Sequence, residues 1–209
     1  MTAAHKNFDV LIIGGGMYGC SIAWWLTQMA DVTGRVLVVE RDPTYETAAT
    51  SLTNSCIRQQ FTNETNVRIS QFGAEFIKNF KHFMGDDPDV PELKIQSYGY
   101  LYLADTKEFA DDLRAAQQIQ ARLGAGTKHM TRDEIASDYP FFQLDDIYGA
   151  NHNLVDEGYF DGGTVFDWFK RMAQRNGVKF VAAEVARLIR DGRRVTQVEL
   201  KDGTRISCG

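Results

Sequence analysis

A run of four apolar residues, Val10 to Ile13, feeds directly into Gly14-x-Gly16-x-x-Gly19, and a second apolar run, Val36 to Val39, closes on Glu40. Such runs suit parallel strands buried on both faces, and the apolar spacing from Cys20 to Ala30 suits a helix. The glycines therefore fall on a strand-to-helix turn. Glycine-rich turns are common on steric grounds alone, so the motif draws its meaning from this strand and helix, from the small Ala23, and from Glu40 at the expected distance. Gly14 permits the tight turn, Gly16 lets backbone approach a pyrophosphate, and Gly19 lets helix and strand pack closely. The unpaired N–H groups at the helix start, at Met17 and Tyr18, then face the anion. Glu40 is placed to accept hydrogen bonds from both ribose hydroxyls and to repel a 2′-phosphate, which favours a dinucleotide other than NADP.

The bulk properties exclude more than they assign. A chain of 209 residues with 44% hydrophobic content can bury one large core or two small ones. The net charge of −5 and the absence of a long basic run give a nucleic-acid partner no electrostatic support. Met1 to Phe8 is short and polar, with no visible secretory signal, and no apolar run approaches bilayer length, so the expectation is a soluble, cytoplasmic protein. Cys20, Cys56 and Cys208 lie far apart without metal-like spacing and suit buried packing. His5, His82, His129 and His152 are isolated, so no metal site is expected.

After Glu40 the alternation of strand and helix stops. A polar loop runs from Arg41 to Asn54. From Glu64 to Met84, apolar residues at Ile69, Phe72, Phe76, Ile77, Phe80 and Phe83 predict one long helix. Ser97 to Leu103 alternates like a strand, with Tyr98, Tyr100 and Tyr102 on one face. Those rings suit packing between sheet and helix better than a cavity lining. Thr106 to Leu123 predicts a helix, Thr131-Arg132-Asp133-Glu134 has capping-box spacing, and Asp161 suits the cap of a helix over Thr164–Arg175. Val178 to Val181, Val185 to Arg190 and Val195 to Leu200 predict a strand meander, with turns at Asp191-Gly192 and Asp202-Gly203. The order is an α/β Rossmann-like unit, an inserted α+β section, and a return through a helix and meander.

In this order the chain resembles the sarcosine oxidase and D-amino-acid oxidase superfamily of FAD-dependent oxidoreductases. The likeness rests on the opening turn, on Ala49 to Phe61 as a Ser-rich loop ending in Ile57-Arg58, and on Tyr98-Gly99-Tyr100-Leu101 as a "Gly-Tyr-Leu" strand. It extends to Asp156 through Asp161 as a "Glu-Gly-aromatic-x-Asp" segment, and to the meander from Val178. The resemblance implies a glutathione-reductase-type FAD-binding domain over residues 1–84 and 153–209, with part of a substrate domain over 85–152. It implies that Gly14, Gly16, Met17, Tyr18 and Gly19 hold the FAD pyrophosphate, with Ser51 near it. Glu40 and Arg41 would hold the adenosine half, and Val185 would touch adenine through its backbone. Arg58 would hold a substrate carboxylate, as two parallel hydrogen bonds from a guanidinium allow. Gln59 and Gln60 belong to the same expected cavity.

The chain departs from the family pattern at Ser55-Cys56, where relatives often carry two glycines, and at the strand and second flavin contact that follow the meander in relatives. Residues 6–81 contain no histidine, so the histidyl-flavin link of dimethylglycine-dehydrogenase-like relatives is absent and noncovalent FAD is implied. The implied activity is oxidation of the C–N bond of an amino acid or N-methyl amino acid by hydride transfer to the flavin, followed by imine hydrolysis. By this resemblance the chain looks like the N-terminal half of such an enzyme. An exposed sheet edge, closed by a second copy or a partner chain, is therefore expected. Two alternatives stand beside this reading: a flavin-fold assembly protein without turnover, and one subunit of a heteromeric amino-acid dehydrogenase. An NAD-linked dehydrogenase fits poorly with the long insertion after Glu40.

Overall fold

A computed structural model describes residues 7–209, leaving His5 outside the described residues. The chain forms two compact units, Met1–Thr53 with Gly162–Gly209, and Asn54–Asp161. This division differs from the expected boundaries at 84/85 and 152/153. The segment from Glu64 to Lys78 bonds within the second unit, through Gln71 Nε2 to the Leu123 carbonyl at 2.9 Å. Cys56-Ile57 pairs there with Gly158-Tyr159.

The first unit carries two sheets. Strands β2 (Val10–Ile13), β3 (Val36–Glu40) and β9 (Lys179–Ala182) form a parallel sheet in the order β2-β3-β9. Val10 stands opposite Val36 and Ile13 opposite Val39, so the glycine turn and Glu40 emerge at the same end. Helices α1 (Met17–Gln28) and α6 (Gly162–Arg175) pack on each other, with the Trp24 and Phe169 rings 5.3 Å apart. The helix expected from Cys20 thus begins three residues earlier, directly on the turn. The second sheet has the order β1 (Asn7–Phe8), β12 (Arg205–Cys208), β11 (Arg194–Leu200), β10 (Val185–Asp191). Gly192 and Gly203, at φ 57° and 81°, turn its hairpins in the left-handed region that both Asp-Gly pairs suggest. Phe8, Leu37, Val39, Val198, Leu200 and Ile206 are buried in a core common to both sheets. Each large apolar side chain buried there contributes about 1.5–3 kcal/mol. The expected meander from Val178 is corrected in part: β9 joins the parallel sheet, and only β10 to β12 form the antiparallel run.

The second unit has an antiparallel sheet, β5 (Tyr100–Ala104), β7 (Gly149–Asn153) and β6 (Lys128–Met130), in the order β5-β7-β6, and a short pair, β4 (Cys56–Ile57) with β8 (Gly158–Tyr159). Helix α4 (Lys107–Arg122) lies on the sheet, where Asn151 Nδ2 donates to the Leu113 carbonyl at 2.6 Å. Helix α5 (Arg132–Asp138) starts at the capping box formed by Thr131 and Glu134. The single helix expected over Glu64–Met84 is two, α2 (Glu64–Lys78) and α3 (Phe80–Phe83). Asn79 interrupts it, turning its side-chain amide onto the Glu75 carbonyl at 3.0 Å. The strand expected from Ser97 begins only at Tyr100, because Gly99 sits at φ 81°. Among the described residues, no helix is long and apolar enough to cross a membrane.

A Cβ at Gly19 would collide with the Gly14 carbonyl. Gly19→Ala is therefore expected to cost about 1–3 kcal/mol through forced separation of helix and turn. The melting temperature should fall by roughly 2–4 °C for each kcal/mol. An unchanged melting temperature would show that the turn can relax freely.

Candidate functional site

The end of the parallel sheet builds the first site. Gly14, at φ 95°, swings the chain off β2 into α1 and donates its N–H to the Val39 carbonyl at 2.9 Å. A helix's first amides have no carbonyl within the helix to meet. Here Met17 N–H is met by Thr50 Oγ1 at 2.9 Å, while the amides of Gly16, Tyr18 and Gly19 have no protein acceptor among the described residues. Glu40 turns back onto the same turn: its Oε2 accepts from Gly15 N–H at 2.6 Å and its Oε1 from Asp42 N–H at 2.8 Å. A carboxylate offers about four acceptor positions, so two more hydrogen bonds can reach it.

Gly14, Glu40, Arg41 and Val185 line one cavity of about 390 Å³, together with Asp42 and Glu184. Val185 follows Ala183, whose N–H bonds the Glu40 carbonyl at 2.9 Å, so strand pairing sets its position beside β3. Four of the expected residues thus meet, and the expected turn residues Gly16, Met17, Tyr18 and Gly19 begin the adjoining helix. A Cβ at Gly16 would lie 2.8 Å from Thr50 Oγ1, which explains glycine there by the loop as well as by any ligand. The exposed Ser51 lies one residue beyond the hydroxyl that touches the turn, which is that of Thr50.

Sequence reasoning missed the groups that support this turn. Cys20 Sγ donates to the Gly15 carbonyl at 2.9 Å, and burial pushes its thiol up to about 12. Tyr45 is buried at φ 58°, with its ring 4.9 Å from Phe166 and under the Lys170 ammonium at 4.6 Å. Burial raises its phenol to about 12. Tyr45 sits in a loop whose polarity alone carries no signal of burial.

The second unit holds Arg58. Its guanidinium lies over the Phe61 ring at 5.0 Å and forms no ion pair with any described carboxylate, so a structural salt bridge does not account for it. Burial, followed by the nearby Cys56 thiol, raises the Tyr100 phenol to about 12. Tyr100 and Tyr102 stack at 6.2 Å, and Tyr102 packs on the Ala104, Ala110 and Leu113 cluster, as expected of sheet-to-helix filling. Tyr98 is exposed and leaves that face. Ser55 takes φ 50°, a left-handed backbone that glycine adopts more readily. That conformation costs an L-residue roughly 1–2 kcal/mol. Among the described residues, no group of three or more His, Cys, Asp or Glu side chains is placed to hold a metal.

Thiol chemistry checks this geometry. A mild disulfide reagent near neutral pH should modify the exposed Cys56 and leave Cys20 intact until the protein unfolds, because the thiolate is the nucleophile and burial suppresses it. Modification of native Cys20 at a rate like that of Cys56 would contradict its burial under the turn.

The FAD dependent oxidoreductase family matches residues 9–208. FAD-dependent oxidoreductase domain-containing protein 1 of Bos taurus is 37% identical over 188 residues, covering 88% of this chain and 38% of that protein. The Drosophila melanogaster homolog is 34% identical over 181 residues, covering 87% and 34%. Among solved structures, L-proline dehydrogenase from P. horikoshii superposes with a TM-score of 0.76 at 25% identity, covering 98% of this chain and 51% of that one. NikD, an amino acid oxidase of nikkomycin biosynthesis, superposes with a TM-score of 0.70 at 20% identity, covering 97% and 50%. The chain thus spans well under half the length of these curated relatives and about half of these solved chains. A matching family model over nearly all its residues, on a fold with the glycine turn and the terminal acid of β3 in one cavity, places the chain in the DAO family of FAD-dependent oxidoreductases.

Proposed function

We propose that the protein binds FAD noncovalently and takes part in oxidising the C–N bond of an amino acid or N-methyl amino acid. The observation that carries this reading is the cavity where Gly14, Glu40, Arg41 and Val185 meet beside the start of α1. Three amides without a protein acceptor at that start suit a diphosphate, and a carboxylate with spare acceptor positions suits ribose hydroxyls. The residues present therefore fit the adenosine diphosphate half of FAD. Bound FAD supplies the two-electron acceptor for a C–H bond next to nitrogen.

The chain's own residues divide the remaining work. Gly16, Tyr18 and Gly19 hold the pyrophosphate by main-chain donors, Glu40 orients the ribose, and Arg41 flanks the adenosine. Ser51 is proposed as a neighbour of the pyrophosphate, and Thr50 joins it there because its hydroxyl already meets Met17 N–H. Arg58, free of any carboxylate among the described residues, receives the carboxylate of the substrate. Neighbours such as the L-proline dehydrogenase and the glycine oxidase from Bacillus cereus are named for amino acids, which supports a small amino-acid-like substrate.

Titration with FAD should quench flavin fluorescence and raise the melting temperature. Anaerobic addition of an N-methyl or D-amino acid to the loaded protein should bleach the visible flavin bands. A protein that stays colourless, with a melting temperature indifferent to FAD, would refute the cofactor assignment. Arg58→Ala should lower kcat/KM about 10- to 100-fold for a carboxylate-bearing substrate, the loss of a charge-assisted pair, and much less for its decarboxylated analogue. Equal losses on both would remove Arg58 from the substrate site.

A further inference from the structure

The "Glu-Gly-aromatic-x-Asp" segment has a member that cofactor and substrate leave unexplained. Glu157 is wholly buried, with 0% of its surface exposed. An ionised carboxylate in such a place is costly unless every lone pair is met. Its Oε1 accepts from Gln59 N–H at 2.6 Å and from Asn153 Nδ2 at 3.0 Å, and its Oε2 from Gln60 Nε2 at 2.9 Å. Burial raises its carboxyl above the ordinary range, and these hydrogen bonds work against that rise.

Two of the three donors belong to the residues that immediately follow Arg58. Gln60 Nε2 also donates to the Tyr100 carbonyl at 3.0 Å, and Gln59 Nε2 to the Val155 carbonyl at 3.0 Å. The 58–60 segment, which has no regular structure of its own, is therefore tied to β5 at Tyr100, to β7 at Asn153 and to the turn before β8, with one carboxylate at the centre. Gly158 makes the arrangement possible. It takes φ 145°, and a Cβ there would collide with the Gln96 carbonyl, so the chain can bring Glu157 inward and Tyr159 into register with Cys56 in two residues. A shared charged acceptor of this kind fixes a loop more tightly than separate neutral bonds would.

We infer that Glu157 is the positioning residue of the Arg58 site: by accepting from Gln59 and Gln60 it sets the course of the chain that presents the guanidinium. The inference rests on Arg58 as the carboxylate-binding group, but the anchoring of the loop stands on the hydrogen bonds alone. Glu157→Gln puts an NH₂ group among donors. It keeps at most part of the set, because a flipped Gln60 amide would face the Tyr100 carbonyl with its own oxygen. Glu157→Asp keeps the charge and loses reach.

The test measures two quantities on the full chain and on Glu157→Gln, Glu157→Asp and Arg58→Ala. One is amide hydrogen exchange over residues 56–61, with α4 as the internal reference for folding. The other is the ratio of affinities for N-methylglycine and for dimethylamine, its decarboxylated analogue. Glu157→Gln should speed exchange over 56–61 by about tenfold or more with α4 unchanged. It should also lower the affinity ratio without touching a ligand, and the double variant with Arg58→Ala should lose no more than Arg58→Ala alone. Glu157→Asp should fall between. Unaltered exchange over 56–61 in a folded Glu157→Gln protein would overturn the inference. So would an affinity ratio that Arg58→Ala abolishes and Glu157→Gln leaves intact. Faster exchange with a ratio indifferent even to Arg58→Ala would instead sink the carboxylate reading of Arg58, and with it the positioning role, while leaving the loop anchor.

Discussion

The contact on which the first unit depends is the 2.6 Å hydrogen bond from Gly15 N–H to Glu40 Oε2. It joins the loop after β2 to the last residue of β3, and β2 and β3 are already held in parallel register from Val10 opposite Val36 onward. The glycine turn and the acid are therefore one construction. Main-chain donors and a carboxylate end up facing the same space because the sheet leaves them nowhere else to go. The second oxygen of Glu40, bonded to Asp42 N–H, starts the following loop. That loop delivers Thr50 to the first turn of α1 and Tyr45 beneath Gly15. The proposed anion recognition is backbone geometry, stiffened from below by Cys20, Tyr45 and Lys170.

The second unit solves a related problem by a different route. Arg58 has no helix or long strand to fix it, and the inferred source of its placement is its sequence neighbours, which bond a buried acid distant in sequence. Glu40 orders a turn from a half-buried position with two acceptor positions to spare, whereas Glu157 is fully enclosed and accepts from three protein donors. A half-exposed acid with spare lone pairs suits a ligand, and an acid enclosed among protein donors suits architecture. The same residue type thus takes two roles, set by burial and by the donors around it.

Much of this was legible in the residues. The strand, glycine turn, helix and second strand follow from apolar runs and spacing, and the Thr131–Glu134 cap and both Asp-Gly turns follow from local side-chain chemistry. What was illegible depended on long-range packing. The break at Asn79 hides within an unbroken apolar period, because one amide captures the Glu75 carbonyl without disturbing the pattern. The fate of β9 hides because a short β-rich run reads alike in a meander and in a parallel sheet, and only pairing with β3 decides it. Thr50 and Tyr45 sit in a loop of polar composition, where nothing local distinguishes a hydroxyl that caps a helix 33 residues away from one in solvent. Ser55 shows the same. A serine gives no local sign of a left-handed backbone, yet it takes a φ of 50° at the expense of strain.

In the proposed site, turn amides take a diphosphate while Glu40 selects an unphosphorylated ribose. Calorimetric titration with ADP-ribose and with its 2′-phosphorylated counterpart tests it most directly. ADP-ribose should bind, the added phosphate should weaken binding by about tenfold or more, and Glu40→Ala should erase this difference. Equal affinity for the two ligands in the unmodified protein, or heat from neither, would contradict it.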